Sequence, residues 1–181
     1  MTHEEIAAIL ADHGCWLRGE GGKRAVLTGA DLSGARLTRA VLTGARLTDA
    51  RLSGARLTRA DLTDADLTRA DLTRADLTDA RLSGARLTRA DLTGADLSGA
   101  KINNDKTAIG LLRRATRSDG YEFFLWHCED GFYIKAGCRF FTLEESRKHW
   151  KATRGGTPLG DESQDILDMF NVAITRTEKE A

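Results

Sequence analysis

The stretch ADLTRADLTRADLTD, residues 65–79, repeats itself every five residues. Five matches neither the 3.6-residue period of an α-helix nor the two-residue period of a β-strand. The same period runs without an insertion from residue 25 to residue 104, which makes sixteen units. Ala fills the first position of every unit, and Leu fills the third position until Ile102 replaces it in the last unit. This region therefore decides the fold.

The repeat predicts an extended backbone that turns a corner within each unit. Ala and Leu lie two residues apart, so their side chains point to the same side of an extended segment. The next Ala comes three residues after Leu and would point to the opposite side of a continued strand. A turn within each unit would bring the next Ala back to the inner side. Thr or Ser in the fourth position and Gly or Asp beside it are residues that favour turns. We expect a tube with Ala and Leu inside and polar residues outside.

The pattern A-(D/R)-L-(T/S)-x resembles the pentapeptide-repeat family. Known members form a right-handed, quadrilateral parallel β-helix with four units per coil, so the resemblance implies a mainly β solenoid of about four coils over residues 25–104. The second position, commonly Asp or Asn in the family, is basic in seven of the sixteen units here. Known members include proteins that bind DNA gyrase, and some of these are held to imitate DNA through an acidic rod.

The charge of the repeat argues against DNA mimicry. Duplex DNA carries one negative charge per about 1.7 Å of axis, so a rod of about 19 Å would need roughly eleven uncompensated negative charges. Residues 25–104 contain eleven Arg and one Lys against ten Asp, a net charge of +2. Stacking every fourth unit also places Asp66 between Arg46 and Arg86, and Arg36 over Arg56. We expect a solvated surface of mixed charge.

The segment before the repeat, residues 1–24, is predicted to be an N-terminal helix that caps the first coil. Thr2 and Glu5 have the spacing of a capping box, and Gly14 is a suitable end for the helix. The run Cys15-Trp16-Leu17 is in phase with the Ala-x-Leu positions. We therefore expect the tube to begin there.

The segment after the repeat, residues 105–181, is predicted to be a small α+β domain with two helices. Thr142 and Glu145 form a second capping-box pattern that opens a helix to about residue 152. The last helix is expected over residues 161–174, with Ile166, Leu167, Phe170 and Ile174 inward. The turns SDG and EDG separate the three strands of a meander, residues 111–117, 121–127 and 132–138. The segment weakly resembles the C-terminal segments of phage and bacterial pentapeptide-repeat proteins of unassigned role.

Aromatic residues are concentrated in this C-terminal segment. Nine of the eleven aromatic residues lie between Tyr121 and Trp150, and both faces of the middle strand are apolar. One face can pack on the helices, while the other must cover the last coil or a second subunit, so capping and homodimer formation both stay open. The candidate binding residues combine these aromatic side chains with two arginines of the repeat: Phe124, Trp126, Tyr133, Trp150, Arg46 and Arg86.

No motif predicts catalysis, a metal site or a cofactor. His127, Cys128, Cys138 and His149 lack the paired spacing of a zinc site. Adjacent His127 and Cys128 would point to opposite faces of a strand, so they do not make a nucleophile and base. We therefore expect that the protein is not an enzyme.

Composition points to a cytoplasmic protein. Lys plus Arg (27) equals Asp plus Glu (27), which gives no general attraction to nucleic acid or to a membrane. The first segment does not have the pattern of a signal peptide, and no apolar run of about 18 residues occurs. Three cysteines at unrelated spacings suit a reducing compartment.

These features predict a non-catalytic interaction protein that binds a protein partner. A DNA-processing enzyme such as a topoisomerase or gyrase is the candidate partner, by analogy with the family. One alternative is a phage-type counter-defence protein that sequesters a small nucleotide or anionic metabolite through its Arg-rich rod or aromatic segment. Another alternative is a structural spacer.

Overall fold

The computed structural model describes residues 1–103, 106–137 and 139–180. The chain divides into two compact units, Met1–Thr107 and Ala108–Ala181. The boundary predicted between residues 104 and 105 lies outside the described residues, as does Cys138.

The first unit opens with helix α1, His3–Leu17. The predicted capping box is confirmed, because Thr2 Oγ1 accepts a hydrogen bond from the Glu5 N–H (3.2 Å) and the Glu5 carboxylate accepts one from the Thr2 N–H (2.8 Å). The prediction that the repeat begins at residues 15–17 was wrong, since these residues form the last turn of α1. The left-handed backbone that ends a helix occurs at Gly19 (φ 70°) instead of Gly14.

The repeat forms a β-helix-like stack in which each unit pairs in parallel with the fourth unit after it. Arg46 pairs with Asp66, and Asp66 pairs with Arg86. The Leu47 N–H donates to the carbonyl of Asp66 in the next layer (2.8 Å), and the Leu67 N–H donates to the carbonyl of Arg86 in the layer after that (2.9 Å). The backbone is therefore hydrogen-bonded to both neighbouring layers, although each contact involves only a short extended segment.

The third-position side chains line the interior of this stack, as their spacing predicts. All of them, from Leu27 to Ile102, are at most 8% exposed. Most of the first-position alanines are buried beside them. Burying one Leu contributes about 1.5–3 kcal/mol, so this column of side chains is the main stabilising element of the unit.

Each of the first fifteen units ends in a corner whose fifth residue has a left-handed backbone. The corner is closed by a hydrogen bond such as that from the Ala75 N–H to the Leu72 carbonyl (3.0 Å). Gly is common at the fifth position, but eight residues there are not Gly and have φ between 55° and 61°, Arg74 among them. This conformation costs about 1–2 kcal/mol for a residue with a side chain.

The second unit contains an antiparallel meander. Strand β1, Lys101–Asn103, pairs with the first residues of β2, Lys106–Thr116, inside the first unit. The remainder of β2 pairs with β3, which pairs with β4, which pairs with β5. The short last strand was not predicted, so the meander has four strands instead of three. The bounds of the last three strands are Glu122–Cys128, Gly131–Ala136 and Arg139–Phe141.

Two helices complete the second unit. Helix α2, Leu143–Arg154, begins with the predicted capping box of Thr142 and Glu145. Helix α3, Pro158–Glu180, extends beyond the predicted residues 161–174 at both ends. It begins earlier because Pro158 occupies its first turn, where a proline is tolerated. One face of β3 and β4 packs on both helices, and the core includes the four α3 residues predicted to point inward, Ile166, Leu167, Phe170 and Ile174.

Candidate interaction surfaces

The second-position side chains form four outward columns, because each pairs with the residue twenty positions later. Column A contains Val26, Arg46, Asp66 and Arg86. Column C contains Arg36, Arg56, Asp76 and Asp96.

Asp in the second position stabilises the turn that follows it. Asp76 Oδ1 accepts a hydrogen bond from the Thr78 N–H (3.0 Å), and its other oxygen accepts one from the Thr58 hydroxyl of the previous layer (2.7 Å). Hydrogen bonds from Thr78 and Thr58 lower the pKa of Asp76. The same backbone bond occurs at Asp31, Asp61, Asp66, Asp71, Asp91 and Asp96. Arg in this position cannot accept such a bond, so its side chain is available to the surface.

Some charges pair between layers. Arg69 Nε lies 2.8 Å from Asp49 Oδ1, and Arg59 Nε lies 3.2 Å from Asp79 Oδ2, both at corners. On column A, Arg86 Nη1 lies 3.9 Å from Asp66 Oδ2. These exposed pairs contribute little to stability, about 0–1 kcal/mol each. The charged side chains are therefore better explained as part of a surface that contacts solvent or a partner.

The two arginines predicted to bind a partner are exposed on column A. The Arg86 side chain is 72% exposed, and Arg46 is also exposed. They lie two layers apart with Asp66 between them. At the usual spacing of neighbouring strands, their backbones are about 10 Å apart.

The four predicted aromatic residues do not form one exposed surface. Phe124 and Trp126 are 4% and 0% exposed and alternate on β3 with the residues that face the helices. Trp150 is 6% exposed and belongs to the core of the second unit. Tyr133 is half-buried, stacks on Phe140 and donates a hydrogen bond to Asp130 (3.1 Å). Their part in binding stays a prediction.

Trp150 has a structural partner that sequence reasoning missed. Arg117 is 2% exposed, and its guanidinium lies over the rings of Tyr121 (5.0 Å) and Trp150 (5.1 Å). It donates two hydrogen bonds to Asp119 (2.9 and 2.7 Å) and one to Ser163 (3.0 Å). The Arg117 hydrogen bond lowers the pKa of Asp119 to about 2. The Arg-x-Asp spacing before Gly120 was the available signal, because a turn brings such residues together.

The described residues show no cluster of three His, Cys, Asp or Glu side chains that would hold a metal ion. Cys15 is half-buried and Cys128 is buried, and neither is in a disulfide. Within the described part of the chain, no helix has the length and apolar character needed to cross a membrane.

The stack of five-residue units with a leucine interior defines a β-helix-like repeat protein with a charged exterior. Residues 23–59 and 65–104 match the family model of pentapeptide repeats in eight copies. The chain belongs to the pentapeptide repeat family. No curated protein matches the chain significantly.

Several solved structures are similar to the repeat region. The pentapeptide repeat protein Rfr23 from the cyanobacterium Cyanothece 51142 is 36% identical over 45% of this chain and 55% of its own, with a TM-score of 0.43. The pentapeptide repeat protein alr5209 from Nostoc PCC 7120 is 36% identical over 50% of this chain and 75% of its own, with a TM-score of 0.30. QnrB1, a plasmid-mediated fluoroquinolone resistance protein, is 26% identical over 46% of this chain and 50% of its own, with a TM-score of 0.25. The chain thus spans about half the length of Rfr23.

Proposed function

We propose that the protein is a non-catalytic interaction protein that binds a protein partner through the outside of its repeat. In this proposal residues 25–104 form a right-handed, four-sided β-helix of about four coils, between an N-terminal cap (residues 1–24) and a C-terminal α+β domain (residues 105–181). The observation that supports the proposal is the pair of exposed arginines on column A, Arg46 and Arg86, each held on a backbone segment that is hydrogen-bonded to a neighbouring layer.

A rigid backbone favours recognition, because less conformational entropy is lost on binding. Arg46 and Arg86 would present two guanidinium groups from backbone positions about 10 Å apart on one column. Guanidinium groups pair well with carboxylates, so the complementary partner carries acidic side chains at a similar spacing. By analogy with the family, the candidate is a DNA-processing enzyme such as a topoisomerase or gyrase in the cytoplasm.

A supercoiling assay tests the proposed partner. The wild-type protein should reduce DNA supercoiling by gyrase when the two are present at comparable concentrations. The double variant Arg46→Asp/Arg86→Asp should be at least about tenfold less effective, because each new carboxylate would oppose an acidic group of the partner. A matched control, Arg36→Asp/Arg56→Asp, makes the same change of charge on column C and should retain inhibition.

Two outcomes would contradict the proposal. Unchanged supercoiling at a large excess of protein would exclude gyrase, and equal inhibition by all three proteins would exclude column A. A rise in melting temperature with one member of a nucleotide panel would instead favour sequestration, since a ligand that binds only the native state stabilises it.

A further inference from the structure

We propose that a second copy of this chain docks on column C in antiparallel orientation. This inference goes beyond the partner proposed above and uses a different column of the repeat. It rests on the order of charges along column C and on the symmetry that this order satisfies.

The charges of column C are segregated. Arg36 pairs in the β-stack with Arg56, and Asp76 pairs with Asp96, so each half of the column places two like charges on neighbouring layers. The side chains of Arg36, Arg56 and Asp96 are exposed, while Asp76 is half-buried. Like charges on directly neighbouring strands are destabilising, so a single chain gains nothing from this order. In column A, by contrast, Arg46, Asp66 and Arg86 alternate in sign.

An antiparallel second copy turns this arrangement into attraction. A two-fold axis that lies across the column, between Arg56 and Asp76, reverses the order of layers in the second copy. Arg36 of each copy then faces Asp96 of the other, and Arg56 faces Asp76. Because a two-fold interface uses the same patch on both copies, each pairing occurs twice. A parallel two-fold arrangement would instead place each residue opposite itself and bring like charges together.

The adjacent corner positions repeat the same order of charge. Arg39, Arg59 and Asp79 follow column C three residues later in each layer, and the fourth layer has Gly99 there. Under the same symmetry, Arg59 of one copy faces Asp79 of the other. The Arg59–Asp79 contact of 3.2 Å within the chain shows that both side chains already lie along this edge.

In such a dimer, none of the other three columns would pair opposite charges both between the outer layers and between the inner layers. The column of Asp31, Arg51, Asp71 and Asp91 would place Asp31 opposite Asp91. Column A and the column that begins at Val41 each place a valine opposite a basic residue. Among the four columns, all of which consist of described residues, column C is the one that pairs opposite charges at both levels.

The predicted dimer is weak and depends on salt. One side of a four-layer stack is only about 19 Å long, so the area buried lies below the roughly 1,000 Å² expected of a stable interface. Attraction between exposed charges must therefore supply specificity, and it is screened within about 10 Å at 0.1 M salt. We expect a monomer–dimer equilibrium in dilute buffer that shifts to monomer as salt is raised.

A charge-swap series measured by sedimentation equilibrium at low salt tests the proposal. Arg36→Asp and Asp96→Arg should each weaken dimerisation by at least about tenfold, since each single change sets two like-charged pairs across the interface. The double variant Arg36→Asp/Asp96→Arg restores opposite charges at both pairs and should return the dissociation constant to within about threefold of wild type.

The same series controls for folding. Within one chain, Arg36→Asp places a carboxylate beside Arg56, and Asp96→Arg places a guanidinium beside Asp76, so each single change makes the neighbouring layers attract. Arg also occurs natively at the second position of six units, so the fold accepts it there. The dilute Arg36→Asp monomer should therefore melt at or above the temperature of the wild type while association is lost. Asp96→Arg also loses the bond from the Ser98 N–H, so its monomer should stay folded with at most a small decrease in melting temperature.

Three results would overturn the proposal. They are a wild-type protein that stays monomeric at low salt up to about millimolar concentration, single variants that dimerise like the wild type, and a double variant that is not rescued. The control Arg46→Asp/Arg86→Asp changes only column A and should dimerise normally. If dimerisation on column C fails while gyrase inhibition depends on column A, this inference falls and the proposed function stands.

Discussion

His13 Nδ1 accepts a hydrogen bond from the backbone N–H of Ala25, 3.1 Å away, and so joins helix α1 to the first residue of the repeat. The His13 side chain is fully buried, and its ring stacks on Trp16 with centroids 5.4 Å apart. An imidazole can accept through Nδ1 only when that nitrogen carries no proton. The contact therefore requires neutral His13, and burial lowers the pKa of this side chain.

The first prediction concerns this contact and pH. Because the pKa of His13 is lower in the folded state, the unfolded chain takes up the proton first as pH falls. The stability that the neutral ring contributes is complete above about pH 6.5 and is lost as pH falls through the folded pKa. Thermal melts between about pH 7.5 and pH 5 should show this decline, and His13→Phe should show less of it.

At neutral pH, His13→Phe should also lower the free energy of unfolding by about 1–3 kcal/mol, because the Ala25 N–H loses its acceptor. The control His3→Phe changes an exposed residue and should leave the melting temperature nearly unchanged. Equal effects of the two substitutions would contradict the assigned role of His13.

The second prediction tests the leucine interior. Leu67 is 0% exposed in the middle of the repeat, so Leu67→Asp buries a carboxylate without a partner and should unfold the repeat as a unit. The matched control is Val26→Asp, since Val26 is 58% exposed, lies beside Arg46 and occupies a position that Asp fills in seven other units. Circular dichroism and thermal melts would distinguish the two variants. A folded Leu67→Asp protein would contradict the claim that Leu67 lies in a buried leucine interior.

The third prediction concerns the corners. Arg74 has φ of 55°, a left-handed conformation that β-branched residues strongly resist. We expect Arg74→Val to lower the free energy of unfolding by at least about 1 kcal/mol. We expect Arg74→Gly to be close to neutral, because relief of the corner offsets the greater freedom of Gly in the unfolded chain. Chemical denaturation of the two variants should therefore give different midpoints, and identical midpoints would argue against the left-handed corner.

The fourth prediction concerns the buried arginine of the second unit. Arg117→Met removes three hydrogen bonds and the guanidinium that lies over the rings of Tyr121 and Trp150. The free energy of unfolding should fall by about 1–3 kcal/mol, a modest value because Asp119 remains in contact with water. The control Arg113→Met changes an exposed arginine of β2 and should have a much smaller effect in the same urea titration.

Acid should have a related effect, because Asp119 has its pKa lowered to about 2. A carboxyl group with a lowered folded pKa contributes stability that is present above its unfolded pKa, about 3.9, and is lost as pH falls toward 2. Asp119→Asn should therefore flatten the fall in melting temperature between about pH 4 and pH 2. An unchanged dependence of the melting temperature on pH would show that Asp119 does not contribute to the acid sensitivity of the fold.

The sequence predicted the repeat and the beginnings of α1 and α2, because local patterns determine them. The two-residue spacing of Ala and Leu specifies the interior. Thr2 and Thr142 are the N-cap residues of capping boxes, which mark the start of a helix. The end of α1 was misplaced because Gly14 is tolerated inside a helix. Strand β5 was missed because three residues carry too little periodicity to identify a strand.

The candidate surfaces could be predicted only in part. The column of Arg46, Asp66 and Arg86 followed from stacking every fourth unit, and the pairing Arg36–Arg56 was expected in the same way. The sequence left open whether Trp126 is buried within the chain or against a partner, and it did not predict the burial of Trp150, since an aromatic side chain in a short strand or helix fits a core and a binding surface equally well. The Arg117–Ser163 contact joins residues far apart in the chain, and no local pattern specifies it.

The distance between positions 46 and 86 tests the stacking of the repeat most directly. Nitroxide labels attached to cysteines at these positions, with the three native cysteines replaced by alanine, report it through dipolar broadening in electron paramagnetic resonance. Two layers of the stack separate the backbones by about 10 Å, so strong broadening is expected. An α-helix over the same forty residues would separate them by about 60 Å. Unbroadened spectra from the folded protein would contradict the stacked repeat and both surfaces argued from it.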